Sequence, residues 1–170
     1  MYVSTGNLNE LDSGDGHALL GNDVHRGTSE SQPKILFLCT HNSARSQMAE
    51  AFLRQFAGDR YEVHSAGLES GQIHPYTRQV MAEIDLDLTG QRSKGLAEYL
   101  GKAQFAYLIT VCDRADVQCP VFPGQGTRLH WSFEDPSAAV GSDDEKLAEF
   151  RKVRDAIKSK ILKWISNPQA

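Results

Sequence analysis

Residues 34–46, Lys-Ile-Leu-Phe-Leu-Cys-Thr-His-Asn-Ser-Ala-Arg-Ser, constrain the fold of this chain more than any other stretch. Ile35 to Leu38 form a short apolar run, the pattern of a strand buried on both faces. The run ends on Cys39, crosses five small or polar residues and reaches Arg45. Met48, Ala51, Phe52 and Phe56 then recur at helical spacing. A strand, a tight polar loop and a helix start make an anion site, because the first helical N–H groups are unpaired and lie at the positive end of the dipole. A curled loop aims further N–H groups inward as a nest. The planar fork of Arg45 can clamp two oxygens of a tetrahedral anion. The same positive field is expected to depress the pKa of Cys39 and hold it as a nucleophilic thiolate. A strand-end core cysteine with an arginine paired nearby is the plainer alternative.

This Cys-x5-Arg-Ser arrangement, with Asn42 inside it, resembles the oxyanion loop of the low-molecular-weight protein tyrosine phosphatases. It is more similar still to that of the thioredoxin-coupled arsenate reductases that share their fold. The resemblance spans about residues 34–165. It implies a three-layer α/β fold, a short parallel sheet flanked by helices, with Thr40, His41, Asn42, Ser43, Ala44, Arg45 and Ser46 forming the substrate-binding loop.

Length and charge narrow the class. A chain of 170 residues suits one domain with a sizeable core. Residues 1–32 hold five acids and one base, so the whole formal charge of −4 sits in that stretch and the rest is balanced. Rich in Gly, Ser, Asn and Asp, 1–32 reads as a flexible acidic extension before a domain at 33–170. It has no basic segment followed by an apolar one, so it does not read as a secretory signal. A balanced domain without a Lys/Arg block gives no support for nucleic-acid or membrane binding. Three cysteines in such a chain point to reduced thiols with a chemical role and a cytoplasmic setting. No apolar surface stripe is evident, and a monomer is expected.

The remaining pattern alternates. A strand is expected over Tyr61–Ser65 and a helix from Pro75 with Tyr76, Val80, Met81 and Ile84 on one face. A short helix over Gly95–Leu100, strands over Phe105–Val111 and Arg128–Trp131, and a mobile loop over 112–127 follow. Ser142 and Glu145 form a capping box for a last helix. Its apolar face is Leu147, Phe150, Val153, Ile157, Ile161 and Trp164. Such alternation gives a parallel sheet with helices on both faces and sites at the strand C-termini, where Cys39 and Cys112 fall.

The segment Cys112-Asp-Arg-Ala-Asp-Val-Gln-Cys119-Pro120 resembles the redox segment of the same reductases. The resemblance implies that Cys39 attacks arsenate, that Cys112 attacks Cys39 and expels arsenite, and that Cys119 then resolves Cys112. The Cys112–Cys119 disulfide left behind would be reduced by thioredoxin, with no bound cofactor or metal. Inert thiols, or a zinc site of Cys112, Cys119 and His130, are the competing readings; structural zinc sites want four ligands. In both family branches an Asp-Pro follows the last strand, and Asp135-Pro136 fits it, with Asp135 as general acid of raised pKa. The bland reading of Asp135 is an Asp-Pro turn.

The residues after Pro136, Ser137 to Val140, provide no aromatic wall of the kind that lines a phosphotyrosine mouth. His41 and Ala44 depart from the phosphatase pattern, and Gln47 replaces its usual Pro. Glu50 and Ser65 resemble residues that brace the loop. Lys94 stands where some reductases carry an acid that helps to hold a monovalent cation, so an ammonium is expected to replace that ion. Arsenate is the expected substrate, with phosphate or sulfate competing. A phosphatase, or a non-catalytic sensor that binds an oxyanion and signals by disulfide formation, are the alternatives.

Overall fold

The computed structural model describes residues 31–121 and 123–168. Nearly all of the expected acidic extension, residues 1–30, lies outside that range. Four strands form one parallel sheet: β1 (Lys34–Cys39), β2 (Glu62–Gly67), β3 (Tyr107–Thr110) and β4 (Thr127–His130), in the order β2-β1-β3-β4. β1 is central, and Ile35, Leu36, Phe37 and Leu38 are fully buried, as a run without polar alternation requires. Full burial stabilises by about 1.5–3 kcal/mol for each such side chain. The register pairs Cys39 with Gly67, Leu38 with Thr110, and Thr110 with His130. These strand ends therefore share one edge of the sheet.

Gly67 permits that edge to close. A Cβ there would lie 2.2 Å from the carbonyl oxygen of Glu69 and 2.7 Å from the backbone nitrogen of Asn42. Only a residue without a side chain lets β2 run so close under the loop.

Helix α1 (Arg45–Ala57) packs on β1 and β2, and α4 (Asp143–Ser166) packs on α1 and on α2 (Pro75–Ala82). All six apolar positions expected of α4 are buried, and its Ser142–Glu145 capping box is formed in both directions. α1 begins only at Arg45, because Ser43 and Ala44 belong to the loop. The 95–100 segment supplies only a short 3-10 turn at Leu96–Glu98.

The expected loop over 112–127 needs correction. A six-residue helix, α3 (Asp113–Gln118), occupies its first half, with Cys112 as its N-cap and Cys119 as its C-cap. The reason is local: Pro120, Pro123, Gly124 and Gly126 all fall in the second half. Asp113 and Asp116 lie in the first turn of α3, where acids favour a helix N-terminus.

Candidate active site

The loop between β1 and α1 curls around Cys39. Its pivot is Asn42, fully buried at φ 51°, a left-handed conformation that asparagine tolerates better than most residues. Both amide hydrogens and both lone pairs of its side chain are used. Nδ2 donates to Ser46 Oγ and to Ser65 Oγ, each at 2.9 Å. Oδ1 accepts from Gln47 Nε2 and from the Lys94 backbone N–H, each at 2.8 Å. His41 has no positive φ, so the loop does not require the glycine that the phosphatases carry at that position.

Gln47, a departure in sequence, proves to be a fully buried strut. Its amide reaches the Asn42 carbonyl, the Asn42 side chain and the Arg92 carbonyl, and it accepts from Gln91 Nε2 at 2.7 Å. Behind it lies Glu50, 3% exposed, facing Ser65, Arg54 and Lys94. Lys94 Nζ is 3.3 Å from Glu50 Oε2 and donates to the Arg92 carbonyl at 3.1 Å. An ammonium therefore occupies the space beside Glu50, as its position in the sequence suggests.

Cys39 is buried, its sulfur 2.8 Å from Ser46 Oγ and 3.0 Å from the Asn42 backbone nitrogen. Since Asn42 donates to Ser46 Oγ, the Ser46 hydroxyl hydrogen is free to point at the sulfur. The expected depression of the Cys39 pKa is not what the fold gives. Burial pushes the thiol up, and the hydrogen bonds from Ser46 and Asn42 and the charge of Arg45 oppose it only in part. Arg45 supplies the expected positive charge, but the sulfur lies in a residue only 3% exposed.

A cavity of about 280 Å³ opens over Cys39 and is lined by Thr40, His41, Ser43, Ala44 and Arg45 of the loop and by Gln72, His74, Asp135 and Ser137, while Asn42 and Ser46 lie behind it. Ala44, the residue before α1, offers no side-chain cap, and no acid sits in the first turn. The helix start is thus left to serve an anion. Arg45 is held at the mouth by the Phe133 carbonyl at 3.0 Å and by Asp135 Oδ2 at 3.2 Å. Asp135 forms the expected Asp-Pro turn, its other oxygen capping Pro136–Ala138 by accepting the Ser137 N–H.

A second cavity, about 480 Å³, opens over Cys112 and shares Thr40, His41, Arg45 and Asp135 with the first. Thr40 stands between the two, its Oγ1 3.4 Å from Cys112 Sγ. The Ala115 N–H also approaches Cys112 Sγ, at 3.4 Å. Cys119 is not gathered with the other two. It is 8% exposed, lines neither cavity, and its sulfur faces the Pro120 carbonyl at 3.5 Å. Burial raises its pKa, partly offset by Arg128. All three thiols are free.

Two features escaped the sequence. His74 lines the Cys39 cavity and caps α2 through Nδ1, which accepts the Tyr76 N–H at 3.1 Å. Pro75 at the first helical position was the signal that its predecessor is a cap. An aromatic wall, absent after Pro136, is built instead from α2 and α4. His74, Tyr76 and Phe150 cluster with ring centroids 4.7–5.6 Å apart and line a further cavity of about 380 Å³ that shares His74 and Ser137 with the first. Among the described residues no group of His, Cys, Asp or Glu is placed to hold a metal ion. No described helix is long and apolar enough to cross a membrane.

A four-stranded parallel sheet with a Cys-x5-Arg loop at its C-terminal edge defines a phosphatase-like enzyme fold. The family described as low molecular weight phosphotyrosine protein phosphatase matches residues 34–169, and the chain belongs to it. Within that family the similarity is to arsenate reductases. The arsenate reductase of Halalkalibacterium halodurans is 44% identical over 128 residues, 75% of this chain and 91% of that protein. A solved arsenate reductase in its oxidised state superimposes with TM-score 0.68 at 30% identity, covering 79% of this chain and 98% of the other. A thioredoxin-dependent arsenate reductase of Corynebacterium glutamicum gives TM-score 0.60 at 30% identity, over 81% of this chain and 63% of that one.

Proposed function

We propose that this enzyme reduces arsenate to arsenite by a thiol relay through Cys39, Cys112 and Cys119, and that thioredoxin re-reduces it. One observation carries the reading: Cys39 and Cys112 open into adjoining cavities separated by Thr40, whose hydroxyl touches the second sulfur. Arsenate sits in the loop, its oxygens on the N–H groups at the start of α1 and on Arg45. Cys39 thiolate attacks arsenic, and Asp135 protonates the departing oxygen, which leaves as water. Cys112 thiolate then attacks Cys39 Sγ. The S–As bond breaks, its electron pair stays on arsenic, and arsenite departs while a Cys39–Cys112 disulfide forms. Cys119 thiolate attacks Cys112 Sγ and releases Cys39 thiolate. The two electrons taken by arsenic are those lost in the new disulfide.

The name of the Corynebacterium glutamicum neighbour supports thioredoxin as reductant. So do Val117 and Val121, which flank Cys119 at 84% and 85% exposure and offer apolar contact to a protein partner. The test is NADPH consumption with thioredoxin and thioredoxin reductase. Arsenate-dependent multiple turnover by the wild type, cut to at most one cycle in Cys119→Ser, is expected. Turnover that survives the substitution would remove Cys119 from the relay.

A second reading rests on the His74–Tyr76–Phe150 wall. It gives the apical leaving group of an aryl phosphate an apolar seat next to Asp135, so the site also suits hydrolysis of phosphate monoesters. Release of p-nitrophenol from p-nitrophenyl phosphate, lost in Cys39→Ser, tests it.

A further inference from the structure

α3 is tied to the sheet edge through both of its acids. Asp113 Oδ1 accepts from Ser132 Oγ at 2.7 Å and faces His130 Nε2 at 3.1 Å. Asp116 Oδ1 accepts from Thr110 Oγ1 at 2.9 Å and from Arg128 Nη2 at 3.1 Å, and the same guanidinium also donates to the Asp116 carbonyl. His130 joins the two halves, because its Nδ1 lies 2.8 Å from Thr110 Oγ1. The acids are three residues apart, so they share a face of α3 only while it is wound.

The cysteines at the two ends of α3 need the opposite. Seven residues of helical rise separate Cys112 from Cys119, about 10 Å, whereas a disulfide requires Cα atoms within about 7 Å. The helix has to unwind for that disulfide to form, and the shared face is lost with it. The same ties fix Cys112 beside Thr40, where the first exchange takes place.

Resting on the relay reading above, we propose that His130, with Ser132 and Arg128, are positioning residues that clamp α3 through Asp113 and Asp116. The clamp holds Cys112 ready for Cys39 and Cys119 apart from it, and its release lets the disulfide pass from Cys39–Cys112 to Cys112–Cys119. In that step Cys119 thiolate attacks Cys112 Sγ, the Cys39–Cys112 bond breaks, and Cys39 leaves as thiolate, with no net change of oxidation state. Weakening the clamp therefore has two effects of opposite sign. It disfavours the first exchange and favours the final disulfide.

The experiment uses the full chain. Arsenate-oxidised wild type, His130→Ala and Ser132→Ala are equilibrated in dithiothreitol buffers, and Cys112–Cys119 disulfide is read by alkylation and mass spectrometry. His130→Ala is expected to favour the disulfide about tenfold, a midpoint about 30 mV more negative. Ser132→Ala, which leaves the helix and the ring in place, is expected to shift it about threefold in the same direction. In a Cys119→Ser background, which stops at the first disulfide, adding His130→Ala is expected to slow arsenite release about tenfold. A midpoint unmoved in both variants, or moved toward easier reduction, overturns the clamp. So does a slower first exchange without any shift in potential, which marks mere structural damage. If the wild type itself yields no Cys112–Cys119 disulfide after turnover, the relay fails and the clamp with it, a result that needs no variant.

Discussion

Thr40 Oγ1 lies 3.4 Å from Cys112 Sγ, linking residues 72 positions apart, and Thr40 is the immediate chain neighbour of the buried Cys39. In the proposed relay the hydroxyl can donate to Cys112 Sγ when that sulfur attacks as a thiolate. A hydrogen bond to a charged group contributes about 1.5–3 kcal/mol. Thr40→Val is therefore expected to slow single-turnover arsenite release about tenfold or more while leaving arsenate binding to the loop nearly unchanged. Rapid-quench assay of arsenite, with equilibrium binding of arsenate in parallel, checks it.

In the proposed relay Cys39 must ionise to attack, and burial raises its pKa against the opposing hydrogen bonds of Ser46 and Asn42. Activity should rise with pH along the acid limb of kcat/KM. Ser46→Ala removes a lowering influence, so the limb is expected to move upward by about one pH unit, a free-energy change of about 1.4 kcal/mol. The stability effect has the opposite direction. The folded chain holds the Cys39 and Cys119 protons more tightly than the unfolded one, so the stabilisation is complete below the ordinary thiol value of 9.0 and is lost as pH rises through the folded values. Urea unfolding across that range tests the slope, which Cys39→Ala should reduce.

Asp135 touches Arg45 and faces the Cys39 cavity. General-acid assistance contributes about 10²–10⁴-fold. Asp135→Asn keeps the cap on the Ser137 N–H but has no proton to give. A loss of at least about 100-fold in the first chemical step is expected, with melting temperature little changed. Single-turnover kinetics and thermal unfolding measured together check both halves.

Lys94 Nζ lies beside the buried Glu50 carboxylate. With a fixed ammonium there, exchanging sodium for potassium should leave turnover unchanged; a sharp rise with potassium would count against it. Lys94→Met leaves Glu50 with Arg54 and Ser65 only. A loss of about 3 kcal/mol in unfolding free energy is expected.

The site was legible at the level of residue types. Strand, loop and helix follow from local patterning, so the placement of Cys39, Arg45 and Asp135 around one cavity agrees with the reading of the chain. The α4 face and its capping box were equally plain, because both depend on neighbours within four residues. The α3 helix was missed since the prolines and glycines of 120–126 coloured the whole window. Gln47 read as a departure, and only the Asn42, Arg92 and Gln91 partners brought to it by the fold reveal its use.

What the sequence by itself determined was the order of elements, the oxyanion loop and the supply of three thiols, all written in spacing and chemical type. What tertiary structure decided was depth and distance. Packing of β1 at the centre of the sheet buried Cys39 and turned its pKa upward. The parallel register brought Cys112 to Thr40 and His130 to α3, and α2 and α4 built an aromatic wall from residues distant in the chain, His74 and Phe150 among its members. Desolvation and long-range contact depend on what the rest of the chain places around a group, and no local pattern encodes them.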